Sequence, residues 1–350
     1  MTGDISKIVV RVPNWVGDAV MSLPFLASLR LNAPRCEIAA LCRPNLAPLL
    51  AQAEGVDRVI TLDESAGRSG WRALWRNGAV LRPHQFQLGF CLPPSFGAAA
   101  MLWLAKIPRR VGHASDRRRF FLTDSIPYAP NGKRPHRSEG YLALLDLVWK
   151  NPKLDRGLRF VPGPEATVQI DAIWAAQALD PIIPLLGLAP GAAQPNKLWA
   201  AERFAMLARR WIGEGGAVVI LGGTADRPVC ELVAAQAGEK GIRNLAGAGD
   251  LPAVAEIIRR CGIFVGNDSG LVHLAAAVGT PTVVISGPGD PAEVAPFTSK
   301  AVTVKKPLFC SPCYKNTCWR KDRPLECQDL VQVTDVWSAI AELRGRSAIA

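Results

Sequence analysis

At 350 residues, with 49% apolar and 20% charged side chains, the chain is too long for one core and too apolar for disorder, so two globular domains of roughly 150 to 180 residues are expected. The formal net charge is +11. It is lopsided: residues 1–165 hold 23 Lys/Arg against 13 Asp/Glu, a balance of +10, whereas residues 166–350 hold 18 against 17, a balance of +1. A basic half of this kind reads either as a solvated surface or as the seat of an anionic partner, for which nucleic acid, an acidic membrane surface and a phosphorylated glycolipid all qualify.

Met1 to Lys7 lacks the basic flank and apolar stretch of a secretory leader, and the most apolar run, Phe96 to Ile107, is short and contains Lys106. A cytoplasmic chain with a buried helix at that run is expected. Along the first half, strands are expected at Lys7–Val12, Glu37–Leu41, Arg58–Leu62, Gln87–Cys91 and Arg110–Gly112. Helices are expected at Asp18–Leu31, Asn45–Ala53, Ser95–Ala105 and Ser138–Trp149. The stretch 151–165, rich in Pro, Gly and charge, reads as a linker, giving domains 1–165 and 166–350. In the second half, strands Leu185–Ala189, Ala217–Leu221, Ile263–Gly266 and Thr282–Ser286 alternate with helices near 201–213, 227–237, 252–260 and 270–278. That alternation is the pattern of doubly wound parallel sheets, in which ligands bind beyond the carboxyl ends of the strands.

The residues just after the strands are therefore where chemistry is sought. After the first strand, Gly17-Asp18 opens a helix; Asp18 reads as a helix N-cap or as a reactive carboxylate. After Leu185–Ala189 comes Pro190-Gly191, with Lys197-Leu198-Trp199 downstream. This Gly turn and lysine suit a phosphate but are no Walker A loop, and Lys197 read singly is equally a surface lysine. After Ala217–Leu221, Asp226 stands behind Gly222-Gly223, where an acid can accept from ribose hydroxyls. After Ile263–Gly266, Asn267-Asp268-Ser269-Gly270-Leu271-Val272-His273 starts an apolar helix whose free N–H groups suit a diphosphate. There Asp268 and Ser269 read as plain caps otherwise, and His273 as a core histidine.

No Gly-x-Gly-x-x-Gly occurs, which removes the main support for a dinucleotide dehydrogenase, and no Asp-x-Asp occurs, so diphosphate charge falls to Lys197 and backbone donors. Five of the nine cysteines (Cys36, Cys42, Cys91, Cys230, Cys261) lie in or beside expected strands and helices and read as small core residues. The other four, Cys310, Cys313, Cys318 and Cys327, are spaced C-x2-C-x4-C-x8-C. They suit a structural Zn or an Fe–S cluster, or reduced or disulfide-paired thiols stiffening a loop. Arg68, Arg72 and Arg76 recur every fourth residue beside Trp71 and Trp75, as a stripe on anionic headgroups or as a solvated arginine face.

In order, Val16-Gly17-Asp18, Ile107-Pro108-Arg109-Arg110-Val111-Gly112, Pro190-Gly191 with Lys197-Leu198-Trp199, and Asn267-Asp268-Ser269-Gly270-Leu271-Val272-His273 with Gly287-Pro288 resemble glycosyltransferase family 9, the ADP-heptose:lipopolysaccharide heptosyltransferases, and most of all the heptosyltransferase II group. The resemblance covers nearly the whole chain. It implies an α/β, GT-B fold, two Rossmann-like domains facing a central cleft, with an inverting transfer from ADP-heptose to the anionic inner core of lipopolysaccharide. It implies Asp18 as general base and Lys197 as a donor-phosphate contact. Donor binding falls to Gly191, Asp226, Asp268, Ser269, Gly270 and Leu271.

Asn14, Arg72, Arg76, Arg118 and Arg119, on the basic half, are the candidates for meeting acceptor charge. The resemblance implies no cofactor for catalysis, peripheral contact with the cytoplasmic face of the inner membrane, and no nucleic acid. One departure is that some relatives carry hydroxyl residues where this chain has Ala192 and Ala193. Another family 9 sugar transferase is one alternative, and three rivals of other classes remain. A sugar-nucleotide epimerase of the same fold has no use for a basic acceptor half, a basic nucleic-acid binder has none for the strand-end turns of the second half, and a redox protein would rest on the four close cysteines.

Overall fold

A computed structural model describes residues 5–65, 70–177, 180, 182–238 and 240–347. The chain divides into two compact units, Met1–Gly157 and Leu158–Ala350. The division lies inside the stretch 151–165 but ahead of the boundary expected at 165. Leu158 and Phe160 are buried, and the Phe160 N–H donates to the Ala277 carbonyl at 2.9 Å, which ties this segment to the second unit.

The first unit holds a parallel six-stranded sheet in the order β3-β2-β1-β4-β5-β6. Its strands are β1 Lys7–Arg11, β2 Glu37–Cys42, β3 Arg58–Thr61, β4 Leu88–Cys91, β5 Arg109–Ala114 and β6 Asp124–Pro127. Its helices are α1 Val16–Met21, α2 Leu23–Asn32, α3 Ala47–Ala51, α4 Trp71–Leu81, α5 Phe96–Leu104 and α6 Arg137–Leu142. The second unit repeats the plan in the order β12-β11-β10-β7-β8-β9. Its strands are β7 Leu185–Ala189, β8 Ala217–Ile220, β9 Ile242–Asn244, β10 Ile263–Asn267, β11 Thr282–Ile285 and β12 Ala301–Val304. Its helices are α7 Pro164–Ala176, α8 Ala201–Gly213, α9 Arg227–Ala237, α10 Leu251–Arg259, α11 Gly270–Ala277, α12 Pro291–Val294, α13 Glu326–Asp329 and α14 Val333–Ser347.

Central strands covered by helices on both faces lose their alternation and become continuous apolar runs. β1 buries Ile8, Val9 and Val10, and every residue of β7 and β10 is buried. The helices carry the complementary pattern. In α8, Phe204, Ala205, Leu207, Ala208 and Trp211 are buried on one side, while Arg209 and Arg210 lie in solvent. α10 starts where its sequence says it should: Asp250 accepts from the Ala253 N–H at 3.1 Å, with Pro252 in the first turn.

The expected strands are present within two residues at each end, but β6, β9 and β12 were not expected. Two long helices expected at Asp18–Leu31 and Ser138–Trp149 are each broken. The first stops at Ser22, whose hydroxyl donates to the Ala19 carbonyl at 2.6 Å just before Pro24. The second passes into a tighter turn, Ala143–Leu147. α7, which begins at Pro164 within the expected linker, was not expected either. Among the described residues no helix is long and apolar enough to cross a membrane, and the run Phe96–Ile107 supplies α5, buried from Ala98 to Leu102. Cys42, Cys91, Cys230 and Cys261 are buried as expected of core residues, and Cys36 is half-buried.

The two parallel sheets each change direction once, between β1 and β4 in the first unit and between β7 and β10 in the second. At the second of these, Gly187 of β7 lets β10 come close. A Cβ there would lie 2.5 Å from the Phe264 ring and 3.0 Å from the Cys261 sulfur. Gly187→Ala should therefore lower the unfolding free energy by about 1–3 kcal/mol through overpacking, read as a reduced denaturation midpoint by circular dichroism.

Candidate functional site

In the second unit the carboxyl ends of β7, β8, β10 and β11 deliver Pro190, Leu221, Asp268 and Ser286 to one edge of the sheet. The β7/β10 switch lies in the middle, the place where open α/β sheets bind ligands. Asn267, fully buried at the end of β10, organises it. Its Oδ1 accepts from the Trp199 N–H at 3.0 Å and its Nδ2 donates to the Pro190 carbonyl at 2.7 Å. Both ends of the loop 190–199 are thus fastened to β10, and Trp199 is sealed beneath it with its indole N–H on the Val331 carbonyl at 2.8 Å.

Fastening the loop brings Lys197 to Asp268. The ammonium lies 2.8 Å from Oδ2 of the carboxylate, which is almost fully buried, and His273 Nε2 lies 4.0 Å from Oδ1. A buried carboxylate is tolerated because a cation and hydrogen-bond donors face it. Asp268 is thus ion-paired at the carboxyl end of β10, directly ahead of α11. Ser269 stands in extended conformation ahead of α11 and makes no side-chain cap. The half-exposed Ser269, Gly270 and Leu271 open the helix, whose first amides have no partner within the helix.

Asp226 closes the same edge from β8. Its Oδ2 accepts from the Gly223 N–H at 2.9 Å, and it packs against Gly191 so tightly that a Cβ at 191 would lie 2.3 Å from its carboxyl carbon. Gly191 and Asp226, expected separately as donor contacts, therefore form one contact. Sequence reading did not single out Lys305, just beyond β12. Its ammonium donates to the Gly289 carbonyl at 2.6 Å, and burial lowers its pKa, opposed by Asp290 and the Cys327, Cys313 and Asp268 side chains.

In the first unit, β1 ends at Arg11 and α1 carries Asp18 in its first turn. No side-chain cap is made there. Asp18 Oδ2 instead pairs with Arg137 of α6 at 2.9 Å. Burial pulls the Arg137 pKa down, but Asp18, Tyr141 and Tyr128 outweigh it and hold the guanidinium charged above its ordinary value. Tyr141 is pushed well above its ordinary pKa, by burial first and then by the Asp18 charge. Nothing in the sequence joins Asp18 to residues 137 and 141. Asn14, expected to face the acceptor, accepts from buried Arg11, whose guanidinium also donates to the Val12 carbonyl and whose pKa burial lowers to about 10.

The expected arginines separate into three groups. Arg118 is fully buried: Nε donates to the His113 carbonyl at 2.9 Å, and Nη1 bonds the Cys91 sulfur and the Pro93 and Ser95 carbonyls. Its expected role at the acceptor is replaced by that of a staple for the loop after β4. Arg109 and Arg110 open β5, pairing with Asp124 and with the Phe121 carbonyl. Arg72, Arg76 and Arg119 are exposed, with Arg76 on Asp63 at 2.6 Å; Arg68 lies outside the described residues.

Cys310, Cys313, Cys318 and Cys327 line one pocket with Trp319, Arg320 and Arg323, and none is disulfide-bonded. Burial, followed by the neighbouring cysteines, raises the Cys327 pKa. The Leu325 N–H points to the Cys318 sulfur at 3.4 Å. Among the described residues, however, no group of three or more His, Cys, Asp or Glu is disposed to hold a metal ion, so the thiols share a pocket without forming a ligand set.

The description "Glycosyltransferase family 9 (heptosyltransferase)" matches residues 71–322. The chain is 32% identical over 310 residues to lipooligosaccharide heptosyltransferase 2 of Haemophilus influenzae, covering 85% of this chain and 88% of that one. It is 30% identical over 310 residues to lipopolysaccharide heptosyltransferase 2 of Escherichia coli K12, covering 85% and 88%. Its backbone is similar to the structure of E. coli ADP-heptose lps heptosyltransferase II, with a TM-score of 0.79 and 24% identity over 98% of this chain and 99% of that chain. Two doubly wound Rossmann-like units are the make-up of the GT-B fold. Matched over most of its length in sequence and in backbone, the chain belongs to glycosyltransferase family 9, the heptosyltransferases, and is a transferase.

Proposed function

We propose that the enzyme transfers L-glycero-D-manno-heptose from ADP-heptose to the heptose/Kdo inner core of lipopolysaccharide, with inversion, at the cytoplasmic face of the inner membrane. The observation that carries the donor half of this reading is the Lys197–Asp268 pair beside the start of α11, at the β7/β10 switch. A diphosphate arriving there meets the helix amides and a lysine already desolvated on one side. The lysine has only to turn from one anion to another. Asp268 is a positioning residue for that lysine, and Asp226, held at Gly191 and Gly223, offers an acceptor to the ribose.

Asp18 carries the acceptor half. It takes the proton of an acceptor hydroxyl as that oxygen forms its bond to the anomeric carbon and the bond to ADP breaks on the opposite face. ADP leaves as an anion, so the leaving group needs charge stabilisation by Lys197 and the α11 amides rather than a proton. Arg137 fixes the carboxylate in one rotamer, and Tyr141 backs the arginine. Asn14 and the exposed Arg72, Arg76 and Arg119 are assigned to the carboxylates and phosphates of the core. The basic balance of the first half favours this over an epimerase, which has no second, anionic substrate to hold.

Catalysis in this scheme requires no cofactor. For the cysteine pocket we assign reduced thiols, since none of the four is disulfide-bonded and burial raises the Cys327 pKa. Metal analysis of protein purified without chelator tests this, and one zinc or iron per chain would overturn it.

Three variants test the assignments. Asp18→Asn should retain donor affinity while turnover falls on the order of 10²-fold or more, measured as mass gain of a truncated core incubated with ADP-heptose; near-normal turnover would remove Asp18 from its role. Lys197→Ala should weaken ADP binding on the order of 10- to 100-fold by calorimetry, the worth of one charge-assisted bond. Lys197→Arg should recover part of that affinity, which a merely structural lysine would not show.

A further inference from the structure

The aromatic side chains of the first unit leave one surface unexplained by this chemistry. Trp71 and Trp75 on α4, Trp103 near the end of α5 and Phe120 in the turn Arg119–Phe121 are 59%, 55%, 47% and 69% exposed. Single exposed apolar residues are ordinary, but these four are linked. The Phe96 ring lies 6.5 Å from Trp71, 6.2 Å from Phe120 and 5.0 Å from Phe121, and Phe121 lies 5.5 Å from Trp103. Trp75 follows Trp71 by one helical turn.

The patch has a firm base. α4 and α5 pack so closely that a Cβ on Gly78 would lie 2.9 Å from the Leu104 Cβ. It is also strongly cationic at its borders. Residues 70–122 contain nine Lys/Arg and a single acid, Asp116, whose carboxylate is engaged by the Phe96 N–H at 2.7 Å. Arg72, Lys106, Arg117 and Arg119 are exposed.

We propose that Trp71, Trp75, Trp103 and Phe120, within their rim of arginines and Lys106, seat the first unit on the interfacial zone of a bilayer rich in anionic headgroups. Indole rings pair a broad apolar body with one N–H donor and settle where a medium is oily on one side and wet on the other. The cations add attraction to anionic lipid within a Debye length. A second copy of the chain is the poorer occupant, because a self-complementary contact here would press two cationic rims together. The purpose of the seat rests on the proposed glycolipid acceptor, but the seat itself is testable without it.

The test is flotation with vesicles of phosphatidylethanolamine and phosphatidylglycerol, beside vesicles of phosphatidylcholine alone. The native chain should float with the anionic vesicles, release with salt and shift its tryptophan emission to the blue. The combined variant Trp71→Ser, Trp75→Ser, Trp103→Ser and Phe120→Ser should partition roughly ten-fold less or weaker still, while acting at the native rate on a delipidated, water-soluble core. If that variant loses its native circular dichroism, Trp71→Ser with Trp75→Ser provides the same readout.

Equal partitioning of native and variant chains, indifference of the native chain to headgroup charge, or a concentration-dependent dimer abolished by the variant would each overturn the proposal. A chain that floats but transfers no heptose refutes the proposed activity and keeps the surface. One that transfers but does not float refutes the surface alone.

Discussion

A parallel sheet ends abruptly, and the backbone groups beyond its strands have to find partners before any ligand can be held there. In the second unit the buried amide of Asn267 meets that demand, taking an N–H from one end of the loop 190–199 and giving a hydrogen to a carbonyl at the other. Leaving either backbone group buried and unpaired would cost about 1–3 kcal/mol. These two hydrogen bonds fix the loop that carries Gly191 and Lys197 beside Asp226 and Asp268, so the proposed donor contacts depend on a side chain that need not touch the donor.

The first unit meets the same demand with arginine. Arg11 and Arg118 are buried and donate to carbonyls and neighbouring side chains at the ends of β1 and β4. Arg137 is paired with Asp18. The basic half therefore divides into cations that build the scaffold and cations left to solvent, and only the second kind is available to an anionic substrate. A guanidinium suits the scaffold task because its planar fork serves several carbonyls at once and keeps its charge when desolvated.

That division also marks where sequence reading succeeds and stops. Continuous apolar runs such as those of β1, β7 and β10 announce buried parallel strands, and the Gly and Asp residues that follow them mark the strand-end turns. β6, Asp124–Pro127, is an edge strand with a half-exposed, polar pattern that offers no such run, and β9 is three residues long. α7 was legible, since Pro164 is a sound first-turn residue, but it lay against a segment whose Pro and Gly content argued for a linker. Arg118 looked like its neighbours Arg117 and Arg119, because charge alone does not say which of three adjacent arginines the loop carbonyls will claim. The pairing of Asp18 with Arg137 spans 119 residues and leaves no local trace.

The contact between Gly191 and Asp226 also constrains how the loop can diverge. Position 191 admits no side chain while Asp226 stands where it does, whereas Ala192 is half-buried and Ala193 exposed. Side-chain variation in the loop is thereby channelled into 192 and 193, and any residue larger than glycine at 191 requires a shortened or displaced residue at 226. The constraint runs one way: 226 can shrink while 191 stays glycine, but 191 cannot gain a side chain while Asp226 keeps its place.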